Sequence, residues 1–341
     1  MKRATIKDVA RSAGVSPATV SRVFTAGGTV SAGVAEKVRR ASDLLAYRPS
    51  IMARSLTRSH NDLVALVVGR LNNPFDAQLV EQLSEKLNAR GKRLLIVPAD
   101  YGENDPAALV ALDYQVDGII VAAGHLSAHS AERFLRLGVP VILYGRELQA
   151  PGVDCVIADN VAGARQVGAL FARAGIRRAL YLRHAHSTFS DEERGRGFRE
   201  GLGGGATVLE LRSGATDARA KVMARLGEDA DIRGVFCAND LLAFGAVEAA
   251  LQLGLDVPKD LHIAGFDDIA MAASPVYDLT SVQHSAGAVA AWVVDRLHRR
   301  LEDPAMPVTT CRLPAMLVTR RTAPASAALG GMAITDRRNS V

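Results

Sequence analysis

An α/β architecture of parallel sheets flanked by helices, preceded by a small all-α head, is the fold class this sequence predicts, and three observations carry it. Short apolar runs recur from Leu63 onward and alternate with helix-like segments, as strands buried on both faces of a parallel sheet do. The first sixty residues instead carry helical spacing, cap signals and a tight turn. Charge divides at the same place. Residues 1–60 hold 11 Lys+Arg against 3 Asp+Glu, a net of +8, which leaves −3 for the rest of a chain whose formal charge is +5. At 341 residues the chain suits about two or three folding units, and 48% hydrophobic residues supply a sizeable core.

Thr5 caps a first helix, with Asp8 as the shorter acid of a capping-box-like start, and Ile6, Val9 and Ala10 share one face. Ala13-Gly14-Val15 forms the turn, where Gly14 can take the left-handed backbone that ends a helix. Ser16 caps the second helix and Pro17 stands first in it, where a missing N–H costs nothing. Val15, Val20 and Val23 point inward, leaving Ala18, Thr19, Ser21 and Arg22 on or near the outside. This is a helix-turn-helix, and its second helix suits the major groove of double-stranded DNA. The Arg22 fork matches guanine O6 and N7, and Ala18 offers a methyl to thymine. Pro17 presents an apolar ring, and the hydroxyls of Thr19 and Ser21 reach phosphates. A plain helical hairpin with a surface arginine is the competing reading.

Ser31 caps a third helix to about Leu45, with Val34, Val38, Ala41 and Leu45 on its buried face. Pro49 disfavours helical geometry at Arg48, and Ser50 can cap a further helix over 51–57, too short to be stable alone. Strand-like runs then follow at Leu63 to Val68 and around Leu95, Ile119, Ile142, Val156, Leu180, Leu209, Val235 and Ile263. Helix-like segments separate most of them, at 76–89, 161–174, 217–226 and 241–253. Ligands of such sheets lie outside the C-terminal strand ends.

The chain has no phosphate loop, HExxH or nucleophile elbow. Gly195-Arg196-Gly197 sits in a charged helical start and Gly203-Gly204-Gly205 in a turn, so neither reads as a dinucleotide fingerprint. Cys155, Cys237 and Cys311 are odd in number and far apart, forming neither a disulfide framework nor a metal set, and the first two read as buried thiols. His184 and His186 read as loop residues. The expectation is a protein with no catalytic residues, cofactor or metal. MKRATIKD has no apolar segment behind it and no run reaches membrane-spanning length, so the expected location is cytoplasmic, with no membrane partner.

Thr5 to Phe24, followed by Tyr47-x-Pro49-Ser50-x-x-Ala53-Arg54-Ser55-Leu56, resembles the LacI/GalR family of bacterial repressors. The resemblance implies a hinge helix around Ala53 and Arg54 that pairs with its dimer mate in the minor groove, where Leu56 wedges between base pairs. Tyr47 and Ser31 join the implied DNA contacts. The likeness runs over residues 3–324 and implies a two-lobed core similar to periplasmic sugar-binding proteins. Asn73-Pro74-Phe75 stands where the family has NPFF, with Asp76 replacing the second Phe; Phe75 is either a wall for a sugar ring or a core residue. Gly145-Arg146 resembles the family's NR with Gly for Asn, and Asp159-Asn160 its VDN lobe boundary. Residues 187–198 resemble its STS…R..GF segment, which puts Arg194 at the ligand-binding arginine. CAND and GFDD put Asn239 and Asp267 at sugar-hydroxyl contacts, and His284 falls where a polar residue lines the second lobe. Asp159 reads as structural and Asp240 as the cap of the next helix. Arg146 and Arg194 together favour an anionic effector, a sugar acid or sugar phosphate.

The implied organisation is a DNA-binding head over 1–48, a hinge and linker over 49–60 and an effector-binding, dimerisation core over 61–325. One lobe takes 61–160 with 286–313, the other 161–285 with 314–325. The tail, 326–341, is expected to be disordered, and its lack of leucine heptads argues for a homodimer. The implied function is a repressor, not an enzyme, whose affinity for operator DNA is set by a small sugar or sugar derivative between the lobes. The alternatives are a cytoplasmic sugar-binding or sugar-handling protein whose head does not bind DNA, and a regulator whose ligand is a partner protein or whose sensor is silent.

Overall fold

The computed structural model describes residues 4–24, 29–48, 61–69, 71–99, 105–122, 126–148, 150–185, 188–203, 207–214 and 216–325, in two compact units, Met1–Asn61 and Asp62–Val341. Ala53, Arg54 and Leu56 of the hinge segment, His186 and the tail 326–341 lie outside the described residues.

Helices α1 (Ile6–Ala13), α2 (Pro17–Val23) and α3 (Ala32–Leu44) form the first unit. The Thr5 N–H donates to Asp8 Oδ2 at 2.9 Å and the Asp8 N–H to Thr5 Oγ1 at 3.4 Å, a reciprocal cap on α1. Gly14 turns the chain at φ +64°, and the Thr19 N–H donates to Ser16 Oγ at 3.1 Å to cap α2. Val9, Ala10, Val20, Val38 and Ala41 are buried together. Such a small core gains much of its order from caps and turns. Ser31 occupies the α3 cap position, but its side chain makes no capping bond. Leu45 is a correction: it follows the last turn of α3 and is exposed, while Ala35 and Ser42 take inward positions.

The second unit runs, in order, β1 (Leu63–Val68), α4 (Pro74–Ala89), β2 (Arg93–Pro98), α5 (Asp105–Val110), β3 (Gly118–Ala122), α6 (Ala128–Arg136), β4 (Val141–Tyr144) and β5 (Val153–Ala158). It continues through α7 (Asn160–Arg173), β6 (Arg178–His184), α8 (Phe189–Leu202), β7 (Thr207–Ser213), α9 (Ala218–Glu228), β8 (Gly234–Cys237) and α10 (Asp240–Gln252). Last come β9 (His262–Asp267), β10 (Thr280–Gln283), α11 (Ala286–Glu302), β11 (Thr310–Leu313) and β12 (Met316–Val318). One sheet has the order β11-β5-β4-β3-β1-β2 and is parallel throughout. The other has the order β12-β10-β9-β8-β6-β7, parallel except where β12 runs against β10. The chain passes from the first sheet to the second after β5, back after β10, and across again between β11 and β12.

Both faces of the first sheet are covered. On β1, Val64, Leu66 and Val68 enter one apolar cluster while Ala65 and Val67 enter another, which is why the run reads as continuously apolar. In the second lobe α7 and α8 pack without intervening side chains. A Cβ on Gly168 would lie 2.3 Å from the Phe198 carbonyl oxygen, on Gly197 2.2 Å from that of Val161, and on Gly201 2.1 Å from that of Arg165. Two of these glycines lie in the charged GRGFREG stretch, whose role is thus close helix packing. Cys155 and Cys237 are buried and Cys311 is partly covered; all three are free. No described helix is long and apolar enough to cross a membrane.

Candidate functional site

On the head, Pro17, Ala18, Ser21 and Arg22 stand on the exposed side of α2, while Thr19 is half-buried and shares a 2.9 Å hydrogen bond with the Ser16 hydroxyl. Tyr47 is half-buried, its ring 6.3 Å from Phe24 and edge-on to it. Thr5 and Ser31 are exposed at the helix starts. The cap at Ser16 and the proline at position one fix where α2 begins, so this face is presented by a rigid element.

In the core, the C-terminal strand ends of the two sheets bring a second group together. Asn73 caps α4 through the Phe75 N–H at 3.2 Å, and its Nδ2 donates across to Asp267 Oδ2, at the end of β9, at 2.9 Å. His284, after β10, donates through Nε2 to Asp267 Oδ1 at 3.1 Å, and its ring stacks on Phe75 at 4.1 Å. Arg194 in α8 lies over the Phe266 ring at 3.7 Å, donates to Asn160 Oδ1 at 2.9 Å and to the Ala238 carbonyl, and comes within 3.8 Å of Asp267 Oδ1. Burial alone would push the Asp267 carboxyl up. The His284 hydrogen bond, the Arg194 charge and the Asn73 amide outweigh it and hold the group below its ordinary 3.8. Asp267 has φ +105°, a conformation L-residues seldom adopt, here fixed by three side-chain partners.

The structure thus brings Phe75, Arg194, Asn239, Asp267 and His284 into one neighbourhood. Arg146 is tied to it less closely. It is partly covered after β4, and burial lowers its basicity. Gly145 before it takes φ +81°, which glycine and asparagine tolerate best, so Gly in place of Asn preserves the turn. Phe75 is only 4% exposed and sits between His284 and Tyr144.

Two sequence readings are corrected. Asn239, not Asp240, caps α10: its Oδ1 accepts the Leu242 N–H at 3.0 Å. Asp240 is buried one step later, accepting from the Ile269 N–H at 2.8 Å and the Ser281 hydroxyl at 2.5 Å. Asp159, read as structural, does cap α7. His184 is not a loop residue: it ends β6 and bridges Asp191 Oδ1 at 2.9 Å and Asn239 Nδ2 at 3.1 Å. Sequence reasoning also gave no site role to Tyr144, which ends β4, to Asn160 of the lobe-boundary motif, or to Asp191 in the first turn of α8. Asp191 is buried, which raises its carboxyl, but the His184 contacts and the Arg194 charge draw it below 3.8.

Asp76 completes the group. It is the third residue of α4 and half-buried. Burial and the like charge of Asp267 push its carboxyl from 3.8 up to about 7, against the pull of His184 and Arg194. Among the described residues no group of three or more His, Cys, Asp or Glu is placed to hold a metal.

A helix-turn-helix head joined to a two-lobed core of parallel sheets, with a polar cluster where the strand ends face each other, defines the class of ligand-responsive DNA-binding regulators. Residues 5–50 match the family model of bacterial regulatory proteins, lacI family, and residues 169–323 that of a periplasmic binding protein-like domain. The chain is similar to the HTH-type transcriptional regulator DegA of Bacillus subtilis, 30% identical over 82% of this chain and 86% of the relative. It is 29% identical to the ribose operon repressor of Halalkalibacterium halodurans, over 93% and 96% of the two chains. Among solved structures it resembles the Lac repressor dimer bound to operator and the anti-inducer ONPF, with TM-score 0.81, 26% identity and coverage of 95% and 100%. It also resembles the CelR–cellobiose complex, with TM-score 0.68, 27% identity and coverage of 94% and 100%. The chain belongs to the lacI family of bacterial regulatory proteins.

Proposed function

We propose that this protein is an operator-binding transcriptional repressor, working as a homodimer, whose DNA affinity is controlled by a small sugar-like effector held where the two lobes face each other. The observation that carries the reading is one chain bearing both a capped, solvent-facing α2 with Arg22, on a segment of net charge +8, and a polar cluster that ties the two lobes together. A dimer presents two such helices to a pseudo-palindromic site, Arg22 reading guanine and the neighbouring hydroxyls holding phosphates. Leu56 acts as the minor-groove wedge that the resemblance implies. The relatives named for ribose and cellobiose support a carbohydrate as effector.

Coupling needs only that DNA and effector favour different lobe arrangements. The contacts placed to register such a change span the lobes. They are Asn73 to Asp267 at 2.9 Å, Ser190 Oγ donating to the Gly145 carbonyl at 3.0 Å, and Arg312 paired with Glu193 at 3.0 Å. Fluorescence anisotropy with DNA from the region upstream of the protein's own gene tests the reading. Salt-sensitive binding that Arg22→Ala and Leu56→Ala both weaken, and that one sugar of a panel shifts, is the expected result. Binding no stronger than to random DNA and indifferent to both substitutions would sink it.

A further inference from the structure

In the polar cluster nearly every group is already engaged. Asp267 holds Asn73, His284 and the approach of Arg194. Arg194 is spread over Asn160, Ala238, Asp267 and the Phe266 ring. Asn239 caps α10 and donates to His184, which in turn meets Asp191. Asp76 differs. Its carboxylate lies within electrostatic reach of Asp267 from β9, His184 from β6, Arg194 from α8 and Tyr144 from β4. Yet among the described residues none of the hydrogen bonds holding the cluster together ends on it. A half-buried carboxylate still meets water, and a molecule that displaces that water must supply a donor in its place, because an acceptor left unmet is costly.

The charges around it decide what completes it. Two carboxylates, Asp76 and Asp267, face Arg194, and Asp267 already neutralises that guanidinium. Arg146, the other arginine that an acidic effector would need, is not among the charges that act on Asp76. An incoming carboxylate or phosphate therefore meets like charge at Asp76, beside an arginine already shared with Asp267. A hydroxyl or ammonium meets an open acceptor.

We propose that Asp76 is the specificity-determining residue of this cleft, selecting an effector that places a hydrogen-bond donor, the hydroxyl or amino group of a neutral or amino sugar, against its carboxylate and rejecting sugars that carry an acid there. The proposal rests on reading the cleft as the effector site. It runs against the anionic effector that Arg146 and Arg194 suggest in the sequence.

The test is titration calorimetry of the full-length protein and of Asp76→Asn, using a panel built in matched sets: glucose with glucosamine, glucuronate and glucose 6-phosphate, and the same variations on galactose and ribose where they exist. The expected result is that wild-type protein binds a neutral or amino member more tightly than its acidic counterparts. Asp76→Asn should weaken that member roughly 10- to 100-fold, the worth of a charge-assisted hydrogen bond. It should also narrow the gap to the acidic ones. Because Asp76 titrates near pH 7, wild-type affinity for the preferred sugar should rise from pH 6 to pH 8, and that of Asp76→Asn should not. A uronate or phosphate as the tightest wild-type binder overturns the proposal. So does a preferred sugar whose affinity survives Asp76→Asn while Asn239→Ala abolishes it, an outcome that leaves the cleft reading standing. A wild-type protein that binds no member overturns the sugar-effector reading, and the proposal with it.

Discussion

Asp267→Asn is the substitution whose consequences the structure fixes most closely. The side chain keeps its size, and asparagine tolerates positive φ, so the change is one of charge and hydrogen bonding. The buried carboxylate takes the Asn73 amide at 2.9 Å and the His284 ring at 3.1 Å, and it answers Arg194 at 3.8 Å. An amide oxygen can keep one of the two donors; the amide nitrogen is set against the other. Breaking one side of a buried ion pair costs about 3–5 kcal/mol. Arg194 retains Asn160, the Ala238 carbonyl and the Phe266 ring, which points to the lower end, about 3 kcal/mol. Urea unfolding at one fixed protein concentration reads this directly, the concentration held because a dimer's stability depends on it. The pH dependence supplies a second check. The folded-state carboxyl lies below 3.8, so its stabilisation is fully present above the ordinary carboxylate range and is lost as pH falls through the folded value. The gap between the two proteins should be whole at pH 7 and shrink below about pH 4. A gap under about 1 kcal/mol at pH 7, or one that persists unchanged into acid, would refute the account of Asp267 as the charge that holds this cluster.

Three other outcomes are expected. Gly197→Ala places a Cβ 2.2 Å from the Val161 carbonyl oxygen. It should destabilise the core by about 1–3 kcal/mol despite alanine's better helix propensity, whereas Gly227→Ala, with open space around it, should be neutral or stabilising in the same urea titration. Arg22→Ala should cost about 1–3 kcal/mol of operator binding and flatten the preference at one base position, seen by anisotropy on single-substituted DNA duplexes. Asp76→Asn should leave stability unchanged near pH 4 and raise it at pH 8. The folded carboxyl is raised from 3.8 to about 7, so the wild type loses stability as pH rises through that window; half-exposure trims the full shift to about 1–3 kcal/mol. Thermal melts across that range check the sign.

Much of the head and strands β1 to β9 were legible because their causes are local. The Thr5–Asp8 cap, the Gly14 turn and the Ser16–Pro17 start each act within four residues of chain. The strands of the parallel sheets are apolar on both faces, so β1 or β9 needs no partner to be recognised. Strands β10, β11 and β12 were not seen. TSVQ, TCRL and MLV are short or mixed in polarity, and they are strands because Ala264 to Asp267, Cys155 to Ala158 and β10 offer them open edges. In the cleft, a residue's place just after a strand marked Asn239 and Asp267 as candidates. It could not say that Asn239 would cap α10, that His184 would bridge Asn239 and Asp191, or that Arg194 would be absorbed by Asn160, Ala238 and Asp267. The α10 cap acts over 3 residues and the His184–Asp191 contact over 7, but the other partners lie 34 to 73 residues away along the chain. Hydrogen bonds and charges fall off within a few ångströms, so which groups meet, and which one is left open at Asp76, was decided only when the two sheets brought their strand ends together.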